Sequence, residues 1–266
     1  KLAVNSVLAH HRCLSSMLSK AVKWGYISYN PAANAELPRQ QVQEAPYLDE
    51  KEVRSLLEHL QNEPIKYRAA ITFVLLAGLR RGELLGMSWN AVDFENQTVT
   101  IQRTLNYTPE DGTYFDTSKN ATSKRPLKVS RLALDLLGQL KHWQEEQAHR
   151  LESAWDNPDN LVFTNDYGGP IHPDTLTKWF TRFCKDAGFK QVHIHSLRHT
   201  CASLMIADGT PLVVVSRRLG HAQVSTTANI YSHVIASADE KAAQIGDRFA
   251  DVVPAKPVEK RERTIA

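Results

Sequence analysis

One stretch of this chain departs from helical periodicity, and that departure sets the fold class. Residues 97–105, QTVTIQRTL, alternate apolar with polar positions and are rich in β-branched side chains, as a strand with one buried face requires. GTYFD at 112–116 follows a PEDG turn and KRPLKV at 124–129 closes the patch, so a three-stranded antiparallel sheet is expected. On both sides of it the apolar residues recur at helical spacing. Helices are expected at 65–77, from about 81, and at 131–150, 174–186, 196–208, 211–219, 224–231 and 237–249. The expected class is mainly α with a small antiparallel β-sheet (α+β).

A second feature divides the chain. NPAANAELPRQQVQEAPYL, 30–48, carries three prolines and no periodicity, as a linker does, and Asp49 with Glu52 then predicts the capped start of a helix running to Leu60. Four segments follow: a helical piece at 1–38, a linker at 39–47, a main domain at 48–235, and a C-terminal helix and tail at 236–266. The first segment opens on Lys1 inside an amphipathic pattern that runs to Trp24, with no initiator Met and no cap, so an incomplete first domain is expected.

Composition excludes several classes. A hydrophobic share of 42% supports a core, and with 23% charged residues and few Gly and Pro it argues against disorder. Cys13, Cys184 and Cys201 form neither a CxxC nor a disulfide pattern, which fits a reducing, cytoplasmic setting. The longest apolar run, ITFVLLAGL at 71–79, is far short of the ~20 residues a membrane span needs, so no membrane association is expected. The net charge of +3 is too mild to define a partner. Its distribution says more, because 117–131 holds five basic residues and no acidic one.

HIHSLRHT, 193–200, concentrates ionisable nitrogen. His195 and His199 stand at i and i+4, a spacing that can seat a metal, but Ser196 replaces the Glu of HExxH and no carboxylate or cysteine completes a shell. His195 and Arg198 stand at i and i+3 on one helix face, where a guanidinium fork and an imidazole suit a phosphate. GLRRGELLGMSW, 78–89, offers Arg80 and Arg81 at a helix end. One of them is expected to pair with Glu83, and for Arg81 that pairing or a backbone contact is favoured. RRLGHAQVSTTANIYSHV, 217–234, adds His221 at a Gly-His turn and Tyr231 ten residues later.

These motifs, in this order and spacing, resemble the tyrosine recombinases of the phage integrase family, and more narrowly the integrases of phages and conjugative transposons of Gram-positive bacteria. The resemblance spans about 48–235, and 5–38 is similar to the end of that family's helical core-binding domain. It implies a site-specific DNA recombinase that cleaves and rejoins strands through a covalent 3′-phosphotyrosine, integrating or excising a mobile element. Carried over by position, it makes Arg80, Lys119, His195, Arg198, His221 and Tyr231 catalytic. Lys119 comes from KNATSKR, which matches the family pattern K-T-x-S-S-x-R with Asn120 in place of Thr. The arginines and His221 would hold the phosphate, His195 would serve as the supporting base for Tyr231, and Lys119 would protonate the leaving 5′ oxygen. His199 reads as a packed structural histidine and His193 as a residue before the helix.

The hairpin is expected to face DNA, with Lys124, Arg125 and Lys128 on phosphates and Arg81 adding to the DNA-binding surface. The resemblance implies no cofactor and no metal. Its implied partners are double-stranded DNA at crossover or attachment sites, further copies forming a homo-tetramer on DNA in which 236–266 docks on a neighbour, and an excisionase or host DNA-bending protein. The rival readings are a type IB topoisomerase, a metal phosphoesterase, and a non-catalytic regulator that uses 211–232 as a helix-turn-helix.

Overall fold

The computed structural model describes residues 2–39, 46–117 and 124–237. The chain separates into two compact units, 1–44 and 45–266. In the first, helix α1 (Val4–Lys23) is followed by a 3-10 turn at Pro31–Asn34. Asn30 holds that turn to the helix. Its Oδ1 accepts from the Ala32 amide at 3.0 Å while its Nδ2 donates to the Ser15 carbonyl at 3.0 Å and to Ser19 Oγ at 2.9 Å.

The second unit begins with α2 (Glu50–Leu60), and its start is the expected capping box. Asp49 Oδ1 accepts from the Glu52 amide, and Glu52 Oε2 accepts from the Asp49 amide, both at 2.8 Å. Helix α3 (Ile65–Ala77) has the bounds the periodicity predicts. It is apolar on nearly every side from Ala69 onward because it runs through the core, packing on α5 (Arg131–Leu151) and α7 (Ile194–Ala207). Leu56, Phe73, Leu137, Phe163, Phe180 and Leu197 are among the fully enclosed residues of that core.

The β patch differs from expectation. The stretch 97–105 is two strands, β2 (Thr98–Ile101) and β3 (Arg103–Thr108), that enter different sheets. One sheet has the order β1-β2-β5, with β1 (Val92–Asp93) and β5 (Arg125–Lys128) both antiparallel to β2. The other is the hairpin of β3 with β4 (Gly112–Thr117). The separation follows from what β3 lies upon, the short helix α4 (Arg81–Leu85). An added Cβ on Gly82 would stand 2.9 Å from the Leu105 carbonyl, and one on Gly86 2.8 Å from that of Arg103, so these glycines admit the strand backbone. Arg103 secures it by donating Nε to the Gly86 carbonyl and Nη1 to Asp159, each at 3.0 Å. The two-residue alternation still runs through the break, with Val99, Ile101 and Leu105 all buried.

The remaining helices are α6 (Pro173–Asp186), α8 (Leu212–Leu219), α9 (Val224–Ile230) and α10 (Ser232–Ser237). A second, smaller core of Ala202, Ile206, Val215, Leu219, Tyr231 and Val234 joins α7, α8 and the chain around α10. The helix expected at 237–249 lies outside the described residues. Among the described residues no helix is long and apolar enough to cross a membrane, and no cluster of His, Cys, Asp and Glu could hold a metal ion.

Candidate active site

Two helix ends frame the site. Helix α3 ends at Gly78 and α8 at Gly220, both left-handed at φ +70° and +67°, so each helix presents carbonyls that its own backbone leaves unpaired. Arg198, 3% exposed, bridges them: Nη1 donates to the Gly78 carbonyl and Nη2 to that of Leu219, both at 2.7 Å. A guanidinium carries five N–H donors, and these two carbonyls take two of them. Burial, and then the neighbouring Arg80 cation, lower its pKa to about 10, which leaves it charged at neutral pH.

Arg80 stands at the N-cap of α4 and reaches the same place from the opposite side. Its Nη2 donates to the Gly220 carbonyl at 3.1 Å and its Nη1 to Glu83 Oε1 at 2.8 Å. Of the two adjacent arginines it is therefore Arg80 that pairs with Glu83. Arg81 turns away, donating to Thr177 Oγ1 at 2.7 Å and the Pro173 carbonyl at 3.3 Å at the start of α6, with Asp174 at 3.5 Å. It makes the backbone contact expected of it and stitches α4 to α6.

Glu83 is 5% exposed. Burial alone would raise its pKa, yet the hydrogen bonds and charge of Arg125, with Arg80 behind them, bring it below the ordinary value. Arg125 donates Nη1 to Oε1 at 3.1 Å, Nη2 to Oε2 at 2.9 Å and Nε to the Arg218 carbonyl at 2.9 Å. This corrects the expectation that Arg125 meets a DNA phosphate, because it is 5% exposed and its fork is closed on a carboxylate. Strand alternation is the cause. Arg125 shares the inward face of β5 with Leu127, while Pro126 and Lys128 point outward. Lys128 donates Nζ to the Asn96 carbonyl at 2.6 Å on the exposed side. Lys124 is exposed and lines a cleft with Arg217, His221 and Val224. Lys119 lies outside the described residues.

Helix α7 starts at 194, two residues before the expected position, because Ser196 serves as its N3 residue. Ser196 Oγ donates to the His193 carbonyl at 2.7 Å and accepts from the His193 amide at 2.9 Å. His193 is thus the N-cap and His195 falls in the first turn, one helical turn from Arg198. Partial burial, then the Arg198, His193 and Arg80 charges, lower the pKa of His195. His221 follows the α8 cap, with Nδ1 2.8 Å from the buried Thr227 hydroxyl. Its pKa falls to about 4 through burial and through the charges of Arg198, Arg80 and Arg125. The imidazole is neutral at neutral pH.

Tyr231 caps α9 and is 2% exposed. Burial pushes its phenol up to about 12, while Arg198 is close enough to draw it partly back. The imidazole that meets the phenol is His199, with Nδ1 2.9 Å from Oη, and not His195. His195 stands behind, its ring edge-on to that of His199 at 4.7 Å between centroids. Arg80, His195, Arg198, His221 and Tyr231 thus converge in one cluster from four stretches of chain, the α4 N-cap, α7, the turn after α8 and the end of α9. Glu83, Arg125, Thr227 and His199 support it.

The cluster thus holds two arginines, three imidazoles and a buried tyrosine on a mainly helical frame. The phage integrase family matches residues 46–237, and the chain belongs to it. Among curated relatives it is 29% identical over 246 residues to a XerC-like tyrosine recombinase of Caldanaerobacter subterraneus, covering 86% of this chain and 62% of that protein. It is 23% identical to the ICEBs1 integrase of Bacillus subtilis, covering 94% and 66%. The chain thus spans somewhat under two thirds of these relatives' length. Its fold is similar to the Tn1549 transposon integrase solved in complex with a circular intermediate DNA, with a TM-score of 0.75 at 20% identity, covering 91% of this chain and 80% of that one.

Proposed function

We propose that this protein is a site-specific DNA recombinase, an integrase that cleaves and rejoins strands through a covalent 3′-phosphotyrosine and so integrates or excises a mobile element. The observation that carries the reading is Arg198, held across two helix ends at 2.7 Å from each carbonyl, with Arg80, His221 and Tyr231 gathered around it. In-line attack on a phosphodiester builds charge on the non-bridging oxygens, and cations fixed in advance lower that barrier without reorganising. Arg198 and Arg80 supply the charge, and His221 supplies a neutral donor. In the tautomer whose Nδ1 accepts from Thr227, His221 carries its proton on Nε2, where a phosphate oxygen can take it as a hydrogen bond. His195 lies one turn from Arg198 and adds a second imidazole to the phosphate.

Tyr231 Oη attacks phosphorus, the bond to the 5′ oxygen breaks, and Lys119 protonates that oxygen as it leaves. A different 5′ hydroxyl then reverses the step, joining new strands with no nucleotide cofactor. The exposed Lys124 beside Arg217 and His221 would follow the DNA backbone, and 1–38 would hold the core of the site as part of a core-binding domain. The active species is a homo-tetramer on double-stranded DNA at crossover or attachment sites, in which 236–266 docks on a neighbour, with an excisionase or host DNA-bending protein setting direction. The setting is the cytoplasm.

Nicked duplexes tiled across the DNA that flanks the gene test the reading. Incubated with the protein in EDTA, at least one is expected to give a detergent-resistant adduct that Tyr231→Phe abolishes. A product that needs a divalent metal, or binding with no adduct on any duplex, would overturn it. Supercoil relaxation without strand exchange would replace recombination with topoisomerase chemistry.

A further inference from the structure

The phenol of Tyr231 is enclosed, and a buried hydroxyl without a partner is costly. Its hydrogen bond goes to His199 Nδ1 at 2.9 Å, with the two rings 5.7 Å apart and tilted by 56°. His199 belongs to α7, one residue past Arg198, so the helix that positions the phosphate-facing guanidinium also fixes the acceptor of the phenol. From this geometry we infer that His199 is a catalytic residue of the proposed strand cleavage: it holds Tyr231 Oη in register and takes its proton as the oxygen bonds to phosphorus. This rests on the recombinase reading and assigns a role within that same site to a histidine that local sequence reads as packing.

The proposed proton transfer uses the tautomer of His199 in which Nδ1 accepts from the phenol. Burial first, then His195, Arg198 and His193, lower the pKa of His199 to about 4, so its ring is neutral at neutral pH and Nδ1 is free to accept. In that tautomer Tyr231 donates and the ring proton sits on Nε2. In the resting state the proton stays on the phenol, whose pKa burial raises to about 12. It transfers only during attack. The O–P bond forms, the phenolic O–H bond breaks with its proton passing to Nδ1, and the bond to the 5′ oxygen breaks with that oxygen protonated by the acid on the leaving side. Phosphate brought beside the ring adds negative charge, which favours the imidazolium that results.

The test compares His199→Asn and His199→Gln with wild type and Tyr231→Phe on whichever nicked duplex gives the adduct, at saturating DNA. Asn and Gln keep a hydrogen-bonding side chain but cannot take the proton. Melting temperature and DNA affinity are measured alongside. Adduct formation is expected to slow by about 10²–10⁴-fold with DNA affinity unchanged. A 5′-bridging phosphorothiolate, whose leaving group needs no proton, is expected not to restore it. Adduct formation within about threefold of wild type in either variant would overturn the inference, as would full rescue by the phosphorothiolate. Absence of adduct from wild type itself would instead overturn the recombinase reading.

Discussion

Arg125 closes both arms of its guanidinium on the carboxylate of Glu83, at 3.1 and 2.9 Å, where both residues are buried. The same carboxylate carries Arg80 at 2.8 Å, so the strand β5, the turn before α4 and the end of α8 are locked together through one buried charge. Removing one partner strands the other. Arg125→Met and Glu83→Gln are each expected to cost about 3–5 kcal/mol, read as a fall in the denaturation midpoint. The double variant is expected to lose less than the sum of the two.

The same pair predicts an acid limb. Glu83 has a folded pKa below the ordinary 4.5, so its contribution is complete above about pH 4.5 and is lost as pH falls through the lower folded value. Stability measured by urea titration from pH 5 downward is expected to fall less steeply in Glu83→Gln than in wild type.

His199 and His221 act at higher pH. Both have folded pKa values of about 4 against an ordinary 6.5, so the unfolded chain binds their protons first. Their contribution is whole above about pH 6.5 and is lost progressively as pH falls toward 4. Urea midpoints at pH 7, 6 and 5 are expected to decline, and His221→Asn to flatten that decline.

Gly220 is required twice. Its φ of +67° disfavours a side chain, and a Cβ there would lie 2.6 Å from the Arg125 guanidinium, which Glu83 and the Arg218 carbonyl already hold in place. Gly220→Ala is expected to destabilise by at least about 1–3 kcal/mol and to disturb the carbonyl that accepts from Arg80. Thermal melting checks the first effect, and adduct formation at a temperature well below the melt checks the second.

The basic hairpin divides by face. Lys124→Ala is expected to weaken DNA binding and to reduce the slope of log affinity against log salt by about 0.9. Arg125→Ala is expected to leave that slope unchanged while lowering stability, since its charge is spent on Glu83. Binding titrations at several salt concentrations separate the two.

These contrasts show what the amino-acid sequence makes legible. The capping box at Asp49 and Glu52 and the bounds of α3 could be read directly, because caps and apolar periodicity are local signals. The inward turn of Arg125 was also readable, since period two places it on the face of Leu127, but the run of basic residues around it suggests a surface. The parting of β2 from β3 was not readable, because it depends on glycines in α4, more than ten residues upstream, admitting the strand. His199 carries no local sign of its role. Only the return of the chain 32 residues later brings Tyr231 to its ring.

Whether Tyr231 becomes bonded to DNA is measured most directly by locating the bond. Protein trapped on a nicked duplex, digested with nuclease and then with trypsin, is read by mass spectrometry. A nucleotide remnant is expected on the peptide 219–241, fragmenting at Tyr231. A remnant on any other residue, or adduct formation that persists in Tyr231→Phe, would contradict the account.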